Sequence, residues 1–132
     1  MAYDLYLHQV FLYFPDLEQK VVDYRQYKGL LLKLYTNTDT DYFYDLATNV
    51  LYPIPKDTDN LTKDQFLRIF GIVMRNAIRY SGLTQEEIAK KTGFKQSQIS
   101  DYLYGRHTPS FYAVYKISKA IGCSLEDLGY VK

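Results

Sequence analysis

Short helical patterns, most of them closed by a glycine, follow one another through the second half of the chain and constrain its fold more than any other feature. Thr84 and Glu87 form a T-x-x-E capping box at the start of TQEEIAKK, and Gly93 follows its end. Ser110 opens another such pattern. The five predicted segments are LTKDQFLRIFGIVMRNAIRYSG, TQEEIAKK, KQSQISDYLY, SFYAVYKISKAI and SLEDLGY. The sequence therefore predicts an all-α domain of five helices in residues 62–132.

The first of these segments has apolar side chains at helical spacing along one stripe. The residues of the stripe that we expect to be buried are Phe66, Phe70, Val73, Ala77 and Tyr80. Gly82 follows the last of them, at a position where glycine commonly ends a helix. The segment therefore predicts a long amphipathic helix.

The composition changes at YPIPKDTDNLT, residues 52–62, where two prolines and polar, turn-forming residues lie together. We interpret this stretch as a short linker between a domain of residues 1–55 and a domain of residues 62–132. A length of 132 residues suits one domain or two very small ones, and the linker favours two.

The segment before the linker predicts a small antiparallel meander. Strand-forming residues occupy Leu30–Thr36, Asp41–Ala47 and Val50–Ile54. Residues that suit turns join these three strands.

Two helices are predicted ahead of the meander. DLYLHQVFLYF has Leu7, Val10, Phe11 and Phe14 spaced by three and four residues, as on one face of a helix. In PDLEQKVVDYRQYKG, a proline at a first helical position and a glycine past the end favour a helix, whereas VVDYRQY also suits a strand. We predict a helix there. The expected fold class is α+β, with a small N-terminal module of helix and antiparallel sheet followed by the all-α five-helix domain.

Charge is divided unevenly between the two halves of the chain. Residues 1–60 contain 5 Lys/Arg and 9 Asp/Glu, whereas residues 61–132 contain 11 and 6. The halves are formally −4 and +5, which together make the net charge of +1. A positive C-terminal half is a reason to look for an anionic partner there, although a solvated face rich in Lys accounts for it equally well.

Two short helices joined by the residues TGF have the layout of a helix-turn-helix, in which a glycine reverses the chain. The run LTQEEIAKKTGFKQSQISDYLYGRHTPSFYAVYKISKAIGCSLEDL resembles the Cro/CI-type, or Xre-type, helix-turn-helix family nearly end to end. The matching features include LTQEEIA, Gly93 in the turn, Ile99–Ser100, the loop from Gly105 to Pro109 and the IGCSLEDL ending. The resemblance covers about residues 62–130. It implies that family's fold, binding to double-stranded DNA, and a host among bacteria or their phages.

The third helix of this domain, residues 95–104, is expected to carry the DNA-contacting surface. Apolar residues that can point inward are Ile88, Ala89, Phe94, Ile99 and Leu103. The outer surface that they leave consists of Gln85, Lys95, Gln96, Ser97, Gln98 and Asp101. This surface could enter a major groove. Gln96 or Gln98 could bind adenine through both a donor and an acceptor, and Ser97 can hydrogen-bond to several base edges.

The resemblance also implies roles for individual residues. Gln96 is then the main base-contacting position, with Ser97 and Asp101 beside it, while Gln85 contacts phosphate and braces Gln96. For Asp101 three roles stay open: acceptor from a cytosine amino group, orienting group for its neighbours, or tolerated side chain. Lys95 belongs to both the base-contacting and the phosphate-contacting sets.

Affinity for the DNA backbone needs cations and main-chain amides. The loop residues where the resemblance places phosphate contacts are Arg106, His107 and Thr108. The cations that could add to them are Lys95, Arg79, Lys90 and Lys91. At Tyr102 and Tyr104 the family more often has Ile or Trp and a basic residue. We expect Tyr102 in the core and the Tyr104 hydroxyl in place of a basic phosphate contact.

Residues 1–55 hold 9 of the 15 tyrosines, and a domain of that size has little interior, so some rings must be exposed. Tyr is enriched in protein interfaces because it supplies contact area at low conformational cost. We predict that Tyr42 and Tyr44, which share one strand face, bind a partner. The alternative, that these rings form the core and edges of the sheet, stays open.

These features support three functions. The first is a sequence-specific, repressor-like regulator that binds DNA as a homodimer and dimerises or receives a protein partner through residues 1–55. The second is a protein inhibitor, such as an antitoxin or a phage-encoded antagonist, whose N-terminal module blocks a partner and whose helix-turn-helix controls its own gene. The third is a docking domain that has lost DNA binding.

An enzymatic function is not expected. His8 and His107 lie in different predicted domains, and Cys123, the only cysteine, lies at a packing or turn position, so no nucleophile is paired with a base. The sequence has no glycine-rich phosphate loop and no metal-ligand spacing, so neither a cofactor nor a metal is expected. The single cysteine and the lack of a long apolar run or secretory signal predict a cytoplasmic protein without membrane contact.

Overall fold

A computed structural model of the chain describes residues 5–27, 30–57 and 59–124. The chain divides into two compact units, Met1–Leu61 and Thr62–Lys132. The first unit contains a helix and a four-stranded antiparallel sheet, and the described part of the second is helical. The predicted α+β class is therefore confirmed.

The first unit is a helix followed by a meander. Its elements are α1 (Leu5–Tyr13), a 3₁₀ turn (Pro15–Leu17), β1 (Val21–Gln26), β2 (Leu31–Thr36), β3 (Thr40–Asp45) and β4 (Val50–Pro55). Each strand is antiparallel to the next in the order β1-β2-β3-β4. The three predicted strands are confirmed, with ends that differ by at most two residues.

The helix predicted for PDLEQKVVDYRQYKG is wrong, because most of that segment forms β1. Val21 pairs with Thr36 and Gln26 with Leu32, so the backbone of β1 is hydrogen-bonded to β2. Leu17 and Val21 are both buried, as the helical spacing required, but a strand after a 3₁₀ turn buries them equally well. The glycine that suggested a helix end lies outside the described residues.

One face of the sheet packs against α1. Leu7, Val10 and Phe11 of α1 form a single core cluster with Leu32 and Leu34 of β2. The apolar stripe predicted for this helix is therefore confirmed at these three positions of α1, whereas Phe14 follows the end of the helix and is partly buried against the same cluster. Burial of each such side chain contributes about 1.5 to 3 kcal/mol. Buried residues on the opposite face of the sheet are Tyr27, Leu31, Phe43 and Ile54.

Tyr44 lies on the face that α1 covers, and the prediction that it binds a partner is wrong. Its side chain is fully buried. The Tyr44 hydroxyl donates to Oδ1 of Asn49 and accepts from Nε2 of Gln9 at 3.2 Å. Burial raises the pKa of this hydroxyl. Tyr42, on the same strand face, is half-buried against the same cluster.

The second unit contains four described helices. They are α2 (Lys63–Ser81), α3 (Gln85–Thr92), α4 (Gln96–Leu103) and α5 (Phe111–Ile121). All four were predicted, and their starts and stops agree with the expected positions within about two residues. The fifth predicted helix, SLEDLGY, lies almost wholly outside the described residues. A single core cluster includes residues from all four helices.

The stripe predicted to be buried on α2 is correct at its three central members, whereas its first member, Phe66, is only partly buried. Phe70, Val73 and Ala77 are buried, whereas Tyr80 is 59% exposed. In the last turns of α2, Met74 and Ile78 are the side chains that lie in the core, and Tyr80 lies on the solvent side of the helix.

None of the described helices is long and apolar enough to cross a membrane. Within residues 5–27, 30–57 and 59–124, no group of three or more His, Cys, Asp or Glu could hold a metal ion.

Candidate nucleic-acid interface

The turn between α3 and α4 is held by Gly93 and the side chain of Thr92. Gly93 has a φ of 80°, in the left-handed region that glycine adopts without steric cost, and its N–H donates to the carbonyl of Ala89 at 2.9 Å. The Thr92 hydroxyl donates to the carbonyl of Ile88 at 2.8 Å and accepts from the N–H of Phe94 at 3.3 Å. The glycine predicted to reverse the chain is therefore at the turn.

The apolar sides of α3 and α4 share one core. Ile88 and Ile99 are fully buried, and Leu103 is 2% exposed. Ala89 is buried as well, whereas Phe94 is only partly buried against the cluster. The inward-facing set expected from the sequence thus holds the two helices together and leaves their polar sides outward.

A reciprocal capping box starts α3, as predicted. The N–H of Glu87 donates to Oγ1 of Thr84 at 3.1 Å, and the N–H of Thr84 donates to Oε1 of Glu87 at 3.1 Å. Hydrogen bonds from the backbone N–H and from the side chain of Thr84 lower the pKa of the Glu87 carboxyl. The start of α3 is therefore held by the Glu87 carboxyl, which accepts from the N–H of Thr84 more strongly when it is ionised.

The stability of the second unit is expected to depend on the ionisation of Glu87. Because folding lowers the pKa of this carboxyl, its contribution is complete above the ordinary value of 4.5 and is lost as the pH falls through the folded value. Glu87→Gln keeps an acceptor for the N–H of Thr84 but has no charge to lose. Unfolding midpoints measured from about pH 7 to about pH 3 should therefore converge for the two proteins at the acid end. A difference that stays constant over this range would contradict the role of ionisation.

The start of α4 differs from the starts of the other helices of this unit. Side chains of Thr62, Thr84 and Ser110 cap α2, α3 and α5, whereas the residue at the N-cap of α4, Lys95, provides no side-chain cap. The first backbone N–H groups of an α-helix have no partner within the helix. They favour an anion, and the exposed Lys95 adds a positive charge beside them.

Two of the predicted base-contacting residues follow directly at this helix start. Gln96 and Ser97 are the first two residues of α4, and both are exposed. Gln98 comes next but is half-buried, and its Nε2 donates to the hydroxyl of Tyr102 at 2.9 Å. Tyr102 is itself buried, as expected. Gln96 and Ser97 can therefore reorient toward a ligand more freely than Gln98.

Asp101 holds the loop that follows α4. Nε of Arg106 donates to Oδ1 of Asp101 at 2.7 Å, and Nη2 of Arg106 donates to Oγ of Ser100 at 2.8 Å. Nε2 of His107 lies 3.5 Å from Oδ2 of Asp101, and the Asp101 carbonyl accepts from the N–H of Arg106 at 2.9 Å. Arg106 and His107 remain more than half exposed. Of the three roles considered for Asp101, this geometry matches the orienting group.

The remaining predicted phosphate contacts lie at both ends of the helix pair. Thr108 is exposed in the loop after α4. Gln85 is the first residue of α3 and is half-buried. No hydrogen bond joins the side chains of Gln85 and Gln96 in the described part of the chain, so the expected brace is not among their contacts.

Four residues beside the end of α4 form contacts that the sequence did not suggest. Nη1 of Arg75 donates to the carbonyl of Leu103 at 2.6 Å, and its Cζ lies 5.2 Å from the ring centroid of Tyr104. A Cβ at Gly71 would lie 2.6 Å from the same Leu103 oxygen. Gly71 and Arg75 precede Leu103 and Tyr104 by about 30 positions, and neither spacing nor composition links the two pairs. The contact shows that α2 supports the C-terminal end of α4.

Comparison with known proteins agrees with this geometry. A helix-turn-helix family model matches residues 81–128. Endothelial differentiation-related factor 1 of Homo sapiens is 33% identical over 78 residues, which cover 58% of this chain and 53% of the relative. The chain therefore spans about half the length of that relative.

An archaeal relative is matched over most of its length. This uncharacterised helix-turn-helix-type transcriptional regulator of Methanocaldococcus jannaschii is 36% identical over 59 residues, 42% of this chain and 89% of the relative. The crystal structure of the restriction-modification controller protein C.AhdI from Aeromonas hydrophila aligns with a TM-score of 0.46 and 25% identity, covering 48% of this chain and 96% of the controller. The family match and the archaeal relative together show that the chain belongs to the Cro/CI-type helix-turn-helix family.

Proposed function

We propose that this chain is a DNA-binding transcriptional regulator that inserts α4 into the major groove. The observation that carries the proposal is the start of α4, where Gln96 and Ser97 are exposed beside Lys95 on a helix without a side-chain cap. A helix start of this kind can approach phosphates through its amides while its side chains reach base edges. The Methanocaldococcus jannaschii relative is a transcriptional regulator of helix-turn-helix type by name, which supports the same role here.

Gln96 and Ser97 are the residues to which we assign base contacts. A glutamine amide matches the N6 and N7 atoms of adenine with one donor and one acceptor, and a serine hydroxyl suits several bases. Gln98 is assigned a secondary part, because its Nε2 is engaged with Tyr102 and its oxygen is the atom left for a base donor.

Arg106, His107 and Thr108 are assigned phosphate contacts together with Lys95 and Gln85. Asp101 orients the first two of these loop residues and does not itself approach DNA, since a carboxylate beside phosphates is repelled. In this arrangement the loop is preorganised, so less conformational entropy is lost on binding.

We further propose a repressor-like, sequence-specific mode of action in the cytoplasm, by binding and not by catalysis. One helix-turn-helix unit buries little surface on DNA, whereas two copies on half-sites about one helical turn apart bind more tightly and more selectively. A homodimer is therefore the form expected on an operator.

The first unit favours a second candidate function, contact with a protein partner, in which Tyr42 stays a predicted contact and the outer side of α1 provides a second surface. α1 contains no Asp, Glu, Lys or Arg, and its outward side carries Leu5, 86% exposed, and Leu12, 67% exposed. Exposed apolar patches of this kind mark protein contacts. This observation keeps open the inhibitor hypothesis, in which the first unit occupies another protein.

Selection of bound sequences from random DNA, followed by Gln96→Ala, tests the main proposal. Loss of one bidentate base contact should weaken binding to the selected sequence by about 1 to 3 kcal/mol, which is roughly 5- to 150-fold, and relax the preference at one base pair. Affinity would be measured by fluorescence anisotropy at one stated salt concentration, because backbone contacts are salt-dependent.

Gln19→Ala, an exposed glutamine of the first unit, is the matched control and should leave affinity unchanged. If Gln96→Ala changes neither the affinity nor the selected sequence, base contact by the start of α4 is wrong. If no sequence is enriched by the unaltered protein, the docking-domain hypothesis replaces DNA binding.

A further inference from the structure

A groove lies beside the C-terminal end of α4, at the opposite end of that helix from the proposed base contacts. One wall is formed by Asp64, Arg68 and Arg75 of α2, and the other by Leu103–Gly105. We call it the Tyr104 groove. Its volume of about 250 Å³ leaves room for a phosphodiester group.

The side chain of Tyr104 is held in this groove by two guanidinium groups. Cζ of Arg75 lies 5.2 Å from the centroid of its ring, and Cζ of Arg106 lies 5.6 Å from it. Each such contact contributes about 0.5 to 1 kcal/mol at an exposed site. Tyr104 is nevertheless 56% exposed. Its ring is thus fixed by cations while part of its surface stays accessible to a ligand.

The charges of the groove favour an anion. Arg68 and Arg75 are seven residues apart and therefore lie on one side of α2, and Asp64 precedes Arg68 by four residues on that side. Among the described residues neither Arg68 nor Asp64 forms an ion pair. Two guanidinium groups and one carboxylate leave a net charge of +1, and guanidinium groups bind phosphate oxygens through two parallel N–H donors.

The groove is placed where a DNA backbone would pass. The eight residues of α4 make a helix about 12 Å long, and the major groove is about 12 Å wide with phosphates along both walls. When the first turn of α4 contacts base edges, its last turn is near one of these walls. Gly105 lines the Tyr104 groove and directly precedes Arg106, which we assign to phosphate.

We propose that Arg68 extends the phosphate contact already expected of the Tyr104 hydroxyl, so that both side chains bind one phosphodiester of the bound duplex in the Tyr104 groove. Arg75 positions Tyr104 and adds positive charge, since its Nη1 is engaged with the Leu103 carbonyl. This inference rests on the proposed function. It adds a helix outside the α3–α4 pair to the DNA-contacting surface.

The test is Arg68→Gln, measured with the selected duplex and with an unrelated duplex of equal length at several potassium chloride concentrations. Loss of one phosphate contact should lower the slope of log K against log salt by about 0.9. The loss of this one phosphate contact should weaken binding about fivefold at roughly 0.15 M salt. The factor should be similar for the two duplexes, because a phosphate contact does not depend on base sequence. Arg68 is exposed, so the unfolding midpoint should not change.

Two further variants make the test specific to the groove. Tyr104→Phe keeps the ring between the guanidinium groups but removes the hydroxyl, and it should also weaken both duplexes equally. Asp64→Asn removes the carboxylate and should strengthen binding by about twofold. The opposite signs of Arg68→Gln and Asp64→Asn separate a charge effect at the groove from a general loss of structure.

Each outcome decides the inference. Unchanged affinity and slope in Arg68→Gln, with tight binding by the unaltered protein, would overturn the phosphate site and leave the proposed function intact. Weakening confined to the selected duplex would overturn it too, because it would indicate a base contact. If the unaltered protein binds neither duplex, the proposed function and this inference both fail.

Discussion

Replacing Ile99 with alanine is expected to lower the free energy of unfolding of the helical unit by about 2 to 5 kcal/mol. Ile99 is fully buried and belongs to the same cluster as Ile88 of α3 and Val114 and Ile117 of α5, which are also fully buried. Alanine would leave a cavity, because neighbours fixed on separate helices cannot all move in to fill it. The free energy of unfolding of a small domain is about 5 to 15 kcal/mol in total, so this loss is a large fraction of it.

Circular dichroism during unfolding in guanidinium chloride measures the loss of stability. Hydrogen exchange of the backbone amides in α3 and α4 assigns the transition to this unit. Ile99→Val is the matched control and should cost about 0.5 to 1.5 kcal/mol, since it removes a single methylene. A cost below about 1 kcal/mol for the alanine variant would contradict the packing described for α4.

The Ile99 variant also separates folding from DNA contact. Ile99 faces the core and touches no ligand, so its replacement weakens DNA binding only through the unfolded fraction. Conditions that restore the folded state, such as added osmolyte, should therefore restore affinity. Gln96→Ala should behave oppositely, because its side chain is exposed and its loss leaves stability nearly unchanged.

The described helices of the second unit were predictable because their limits are set by local chemistry. The capping box joins Thr84 to Glu87, three positions away, and the N–H of Gly93 donates to the carbonyl of Ala89, four positions away. Each of these features is therefore visible in a short stretch of sequence. The wrong helix at Val21–Gln26 arose because its apolar spacing suits a strand as well, and pairing with β2 decides between the two. Local patterns could not reveal that pairing.

Contacts between distant residues explain the rest of the differences. Tyr44 is buried because α1 covers its sheet face, and its hydroxyl is bound by Gln9, which is 35 residues away. The exposed start of α4 was predictable, because its polar residues lie opposite the apolar residues that were expected to face the core. Support of its other end by Arg75 was not, because that contact depends on how α2 crosses α4.

Replacing Gly71 with valine is expected to lower the free energy of unfolding of the helical unit by about 3 kcal/mol. A Cβ at this position would lie 2.6 Å from the Leu103 carbonyl oxygen and 3.1 Å from Nη1 of Arg75. The carbonyl belongs to the backbone of α4 and cannot rotate away. Overpacking costs about 1 to 3 kcal/mol. Loss of the hydrogen bond from Arg75 to Leu103 adds about 0.5 to 1.5 kcal/mol.

Gly71→Ala is the graded companion of this variant, and both would be measured by guanidinium unfolding of the full chain. In an open helix, alanine would stabilise by about 1 kcal/mol relative to glycine through helix propensity alone. Here the clash should cancel or reverse that gain, so an alanine variant more stable by the full amount would refute the close approach of α2 and α4.

Where the variants stay folded, the end of α4 must move away from α2. Affinity for DNA should then fall although no DNA-contacting side chain has changed, because the start of α4 moves with its end.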